Sequence, residues 1–144
     1  MEDDFIKELS EEEKVVFLKI FCRLIKSDGN VDASEIQFLK AVAARYGLDN
    51  NLVVEIIKKV SSVNYIAEAQ KITNRKHALQ LIKELCVLAN IDELFDDAEL
   101  DILIDVAQAM NVEEDKVVQI NRWVLNNFVL QKVGRIVLEE ETNE

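Results

Sequence analysis

The chain of 144 residues has no proline, three glycines, two cysteines and one histidine. Sheets and loop-rich folds need glycine and proline to reverse the chain, so their scarcity favours helices joined by short connections. Cys22 in VVFLKIFCRLI and Cys86 in ALQLIKELCVLA both lie inside apolar helical runs. Two buried thiols in a reducing compartment fit that placement better than a disulfide. His77, in NRKHALQL, has no second histidine and no Glu-x-x-His pairing, which leaves zinc and di-iron sites short of ligands; it is expected on a helix surface. No apolar run approaches the ~18 to 20 residues of a membrane span, and the N-terminal stretch MEDDFIKELSEEEK is acidic where a signal peptide is basic. The expectation is a cytoplasmic protein without direct membrane insertion.

Positive charge is also scarce: 17 Lys and Arg stand against 28 Asp and Glu, for a net charge of −11. Nucleic-acid phosphates demand a basic footprint, so no nucleic-acid partner is expected. Lys58, Lys59, Lys71, Arg75, Lys76 and Lys83 form a locally basic middle, read as solvated helix faces that offset acidic neighbours. There is no glycine-rich phosphate loop, no nucleophile elbow and no Cys-x-x-Cys pair. Nothing in the sequence supplies catalytic machinery, and the chain is read as no enzyme.

What is present is a repeat. At an offset of 64, Cys22 meets Cys86, Asp28 meets Asp92, Asp32 meets Asp96, Glu35 meets Glu99, Leu39 meets Leu103 and Ala43 meets Ala107. The match continues without a gap through Val53 with Val117 and Val60 with Val124. With 49% apolar residues the chain suffices for one domain with one core. The expected fold is all-α, a single-domain bundle of about seven helices built from two pseudo-symmetric helix-loop-helix-turn-helix repeats. Repeat one spans about 10–61, a connector 62–73, repeat two about 74–127 and a C-terminal extension 128–144.

Local signals support each element. Ser10 followed by Glu13 is a capping box, and Val15, Leu18, Cys22 and Ile25 mark one helix face. Ile36, Leu39, Ala43 and Tyr46 mark the next, which ends at Gly47; the second copy has Leu100, Leu103, Ala107 and Met110, with Asn111 in place of Gly47. Asn is the commonest substitute for glycine in a left-handed helix end. Asp49 can cap LVVEIIKKV, NYIAEAQKI reads as a short amphipathic helix, and DFIKEL offers Phe5, Ile6 and Leu9 as a cover for the core. WVLNNFVLQKVGRIVL either extends the last helix or adds a short one, with Gly134 a weak point. Trp123 is read as a core or groove-lining aromatic.

The stretch DGNVDASEI resembles the second half of an EF-hand loop, but aligned that way Leu24 and Lys26 occupy the first and third ligand positions, and Leu88 and Asn90 occupy them in the second copy. Neither loop reaches the six to eight oxygens Ca²⁺ prefers, so an ordinary EF-hand is excluded. Two readings of the carboxylates stay open. In one, Asp32 and Glu35, like Asp96 and Glu99, form capping boxes and Asp28 makes a turn with Gly29. In the other, Asp28, Asp32, Glu35, Asp92, Asp96 and Glu99 share one region and hold a hard cation, Ca²⁺ or Mg²⁺. Asp28 and Asp92 discriminate, because capping requires neither.

LIKSDGNVDASEIQFLKAVAARYGLD, a helix, then Asp-Gly-x-Val-Asp-x-x-Glu, then a helix ending at Gly-Leu, resembles the TerB-like tellurite-resistance domain, also found at the N-terminus of DjlA-type co-chaperones. The resemblance covers about residues 10 to 128. It implies a cytoplasmic bundle of about seven helices without enzymatic activity, a link to tellurite and other chemical stress within membrane-linked complexes, and an acidic cluster regarded as a candidate cation site. Carried across, that cluster is Asp28, Asp32 and Glu35 with Asp92, Asp96 and Glu99; Glu93 departs from the pattern where the first copy has Gly29. The combined reading is a non-catalytic acidic module that binds a divalent cation, a protein partner, or both. Its alternative is a structural adaptor whose acidic residues are caps and whose partner docks near Trp123 and Phe128; an enzyme comes last.

Overall fold

The protein is represented by a computed structural model that describes residues 4–25, 32–91 and 97–140. Within them the chain forms eight α-helices and one 3-10 turn: α1 (Asp4–Glu8), α2 (Glu11–Ile25), α3 (Ala33–Arg45), α4 (Asn50–Lys59), the turn Val60–Ser62, α5 (Tyr65–Ala69), α6 (Arg75–Ile91), α7 (Asp97–Ala109) and α8 (Glu114–Val137). The all-helical expectation holds, with one helix more than the roughly seven expected. The stretch 123–138 extends the last helix: α8 continues through Gly134 to Val137.

Helix starts keep the 64-residue offset. Glu11, Ala33 and Asn50 open α2, α3 and α4, and Arg75, Asp97 and Asn50's counterpart Glu114 open α6, α7 and α8. The helix ends agree as closely. The N–H of Leu48 donates to the Ala43 carbonyl at 2.8 Å, and that of Val112 to Ala107 at 2.8 Å. The residue that precedes each has a left-handed backbone, Gly47 at φ 72° and Asn111 at φ 60°. These are Schellman-type ends that satisfy the last carbonyls of α3 and α7.

Sequence spacing suggested one buried face for α2, through Val15, Leu18, Cys22 and Ile25. The helix is instead covered nearly all round, burying Val16, Phe17, Leu18, Ile20, Phe21, Cys22 and Leu24, while Val15 and Ile25 are half-buried. The reason is its central position: α3, α4, α5, α6 and α7 all pack on it, and a helix apolar on every side is stable only when so enclosed. The buried apolar residues form one cluster. Phe5, Ile6 and Leu9 close one end of it as expected. Phe5, Phe17 and Phe21 surround Tyr46 with ring centroids 6.4, 6.1 and 6.2 Å away. Both thiols are free and buried, and loss of hydration pushes each up to about 12.

Candidate functional site

Asp32 stands in extended backbone just before α3 (φ −85°, ψ 175°). Its Oδ1 accepts the N–H of Glu35 at 2.8 Å and the Ser34 hydroxyl at 2.7 Å, and its own N–H donates to Glu35 Oε1 at 3.0 Å. The capping box is therefore formed in full, with each carboxylate committing one oxygen to it. The amide of Glu35 and the hydroxyl of Ser34 hold the Asp32 carboxyl below its ordinary range. Glu99 is half-buried on the first turn of α7, at the position Glu35 has on α3. Asp28, Asp92 and Asp96 lie outside the described residues. Among the described residues no three His, Cys, Asp or Glu side chains gather as a metal site would require. Leu24 and Leu88, at the would-be first ligand positions of EF-hands, and Asn90, at a third, are helical residues of α2 and α6, and the Asn90 amide is spent on the Cys86 carbonyl and Asn121.

His77 corrects the sequence reading. It is 8% exposed rather than on the surface. Its Nδ1 lies 2.7 Å from Glu13 Oε2, and its Nε2 lies 3.9 Å from Glu8 Oε2. Glu13 also accepts the Ser10 N–H through Oε1 at 2.9 Å, while Ser10 Oγ accepts from Glu13 N–H. Burial raises the Glu13 pKa, but the bonds from Ser10 and His77 outweigh it and leave the carboxyl below its usual value. Asn74 caps α6 by accepting from His77 N–H at 3.1 Å. The signal for this was present: Ser10 and Glu13 shifted by 64 are Asn74 and His77, so the histidine occupies a capping-box position pointing at the bundle.

A buried acid also escaped sequence reasoning. Glu84, 8% exposed, accepts from the Tyr46 hydroxyl at 3.0 Å and pairs with Arg45 at 3.2 Å. It is satisfied and structural. Three of the six residues of the basic middle offset acidic neighbours as expected: Lys71 pairs with Glu68, Lys76 with Glu8 and Arg75 with Glu113.

A surface groove lies between α6 and α8. Its floor is Leu79, Ile120 and Trp123, and its rim includes Lys76, Lys83 and Lys116. Trp123 is 54% exposed, with Lys83 Nζ 6.0 Å from its ring centroid. Of the two options the sequence left, the groove position is the one realised.

Helix starts that repeat at a 64-residue offset, a central apolar α2 and the Asp32–Glu35 capping box define an all-helical module. Comparison with known families gives the particular one: residues 21–122, well over half of the chain, match the tellurite resistance protein TerB family, and the chain belongs to it. No curated protein and no solved structure matches the chain. No helix among the described residues is long and apolar enough to cross a membrane.

Proposed function

We propose that this TerB-family chain is a non-catalytic cytoplasmic module of tellurite-stress resistance that acts by binding a protein partner in the α6–α8 groove. Trp123 carries the reading. A large amphipathic aromatic, half exposed beside Leu79 and Ile120 in a groove otherwise lined by polar and basic side chains, is the residue type that anchors interfaces when covered. The lysine rim stands out on a chain of net charge −11 and suits a segment whose apolar residues are flanked by acidic ones. Trp123 is the only tryptophan, so its fluorescence reports directly. A designed amphipathic peptide of Leu and Glu should shift that emission saturably, and a Leu and Lys counterpart should not. Equal response to both, or none to either, removes the proposal; Trp123→Ala should keep the melting temperature.

The repeated carboxylate spacing supports a second reading, in which Asp28, Asp32, Glu35, Asp92, Asp96 and Glu99 together hold Ca²⁺ or Mg²⁺. Calorimetric titration with Ca²⁺, Mg²⁺ and Mn²⁺ tests it: heat should appear and should vanish in Asp28→Asn plus Asp92→Asn with the fold intact. Neither heat nor a change in melting temperature at millimolar ion would remove it.

A further inference from the structure

The α6–α8 groove does not end at Trp123. Lys83, Trp123 and Asn127 also line a second depression, together with Arg45, Glu84, Val87 and Phe128. Arg45, Glu84 and Val87 in turn line a socket between α2, α3 and α6, where Phe21, Phe38, Val42 and Leu88 complete the wall. Shared walls make the three depressions one path. On α6 it runs through Lys76, Gln80, Glu84 and Leu88, a spacing of four that keeps to one helix face, and it covers about 18 Å at the helical rise per residue.

The socket differs in chemistry from the groove. Phe21 is buried, and Phe38, Val42, Val87 and Leu88 are half-buried. Its buried polar group is committed: Glu84 accepts from the Tyr46 hydroxyl and pairs with Arg45, and among the described residues no buried side-chain nitrogen or oxygen lacks a partner. A polar group entering the socket would lose its hydration without gaining an unpaired partner, so the site suits an apolar one. Its free volume of about 60 Å³ decides the size. Small-molecule sites run ~300 to 1,000 Å³, whereas this space takes the end of one side chain.

We infer that the partner bound in the α6–α8 groove, the reading on which this step rests, is an acidic amphipathic helix with two apolar anchors, one beside Trp123 and a second in the socket. Leu79 in the groove and Val87 in the socket are about 12 Å apart along α6, and a helix laid along that face offers apolar residues at i and i+7 or i+8 to match. An extended segment gains its affinity from the edge of a sheet, and the described residues form no strand. Charge selects the same occupant. Lys76, Lys83, Lys116 and Arg45 line the path, and the one acid that lines it, Glu84, is buried and paired with Arg45. Arg45 is 37% exposed beside the socket and carries five N–H donors, so a partner carboxylate next to the second anchor is favoured there.

Trp123 fluorescence on the full chain tests this with two designed peptide helices of about four turns, both built on alanine and glutamate. One carries two leucines two turns apart, and the other has one of those leucines exchanged for alanine. The two-anchor helix should bind at least ~10-fold more tightly. Val42→Phe, which fills the socket, should remove that advantage and leave the affinity of the one-anchor helix unchanged, with circular dichroism and melting temperature confirming the fold. Equal affinities of the two helices for the wild type overturn the second anchor and leave the groove beside Trp123 standing, whereas no response to either helix removes the groove and the anchor together. A folded Val42→Phe that keeps the full preference puts the second leucine outside the socket and overturns the assignment. A wild-type dimer in sedimentation velocity that dissociates on Val42→Phe gives the socket to a second copy of this chain instead.

Discussion

Gly47 and Asn111 offer a quantitative check on the architecture, because each ends a helix in the left-handed region 64 residues from the other, at φ 72° and 60°. An alanine at 47 would meet nothing within 4 Å of its Cβ, so the cost of Gly47→Ala is conformational and not steric. Left-handed backbone costs an ordinary residue ~1 to 2 kcal/mol, and replacing glycine returns ~0.4 to 1 kcal/mol by restricting the unfolded chain. The net expectation is a loss of about 1 kcal/mol, worth roughly 3 °C in melting temperature for a chain of this size. Gly47→Asn should cost less, since Asn tolerates this region and does so at 111. Asn111→Gly should lie within about 0.5 kcal/mol of wild type, while Asn111→Ala should lose about 1 kcal/mol with no unfolded-state compensation. Urea unfolding followed by far-ultraviolet circular dichroism measures all four. Gly47→Ala as stable as wild type would refute the left-handed end of α3. A neutral Asn111→Ala beside a costly Gly47→Ala would refute the equivalence of the two turns.

Asp32→Ala should destabilise by about 1 kcal/mol through loss of the α3 cap, and Asp32→Asn should recover most of it, because Asn caps nearly as well; equal loss in both variants would point to a role for the charge itself. Glu13 has a folded-state pKa below its unfolded value of 4.5, so its contribution to stability is complete above that value and disappears as pH falls through the lower folded-state value. Glu13→Gln should accordingly flatten the acid limb of melting temperature against pH, and an unchanged limb would exclude the Glu13–His77 bond as its source. His77→Glu should cost at least about 2 kcal/mol at neutral pH by opposing two half-enclosed carboxylates, and a neutral effect would show that the two side chains do not meet. The thiols of Cys22 and Cys86, buried and pushed up to about 12, should react with a disulfide reagent only as fast as the chain unfolds; rapid modification of the native protein would contradict their burial.

Periodicity exposed the helices because each buries a stripe at a fixed spacing, and the caps at Ser10, Asp32 and Asp49 bond as their residue types demand. The limits of that reasoning are equally physical. A pattern of one apolar face cannot tell a helix on the rim from one at the centre, and for α2 it showed only one of the buried sides. A lone histidine is polar in any composition table, whereas its burial depends on Glu13 from another helix, a contact local spacing does not encode. Of the six candidate carboxylates, Asp32 and Glu35 form a capping box that uses one oxygen of each, and Asp28, Asp92 and Asp96 lie outside the described residues. The spacing that drew attention to them fits both readings because a first-turn acid and a hard-cation ligand are the same chemical group.

Several side chains that meet lie at or near the 64-residue offset and differ in chemistry. A residue that touches its own counterpart at an offset of 64 would, in identical copies, meet itself; for glutamate that means two carboxylates in contact and partial loss of charge. Glu13 and His77 are such a pair, 2.7 Å apart, and the histidine turns repulsion into a hydrogen bond. Ile20 and Glu84 differ for a related reason. Ile20 is wholly buried, while Glu84 reaches the Tyr46 hydroxyl and Arg45 of the other segment, so a polar partner exists on one side only. At the third helix the exchange is within one segment: Asp49 caps α4 with its side chain, whereas Glu113 makes no such cap and instead pairs with Arg75 at 2.9 Å. At such contacts an apolar side chain can face another apolar one unchanged, whereas a charged side chain gains from a partner of different chemistry.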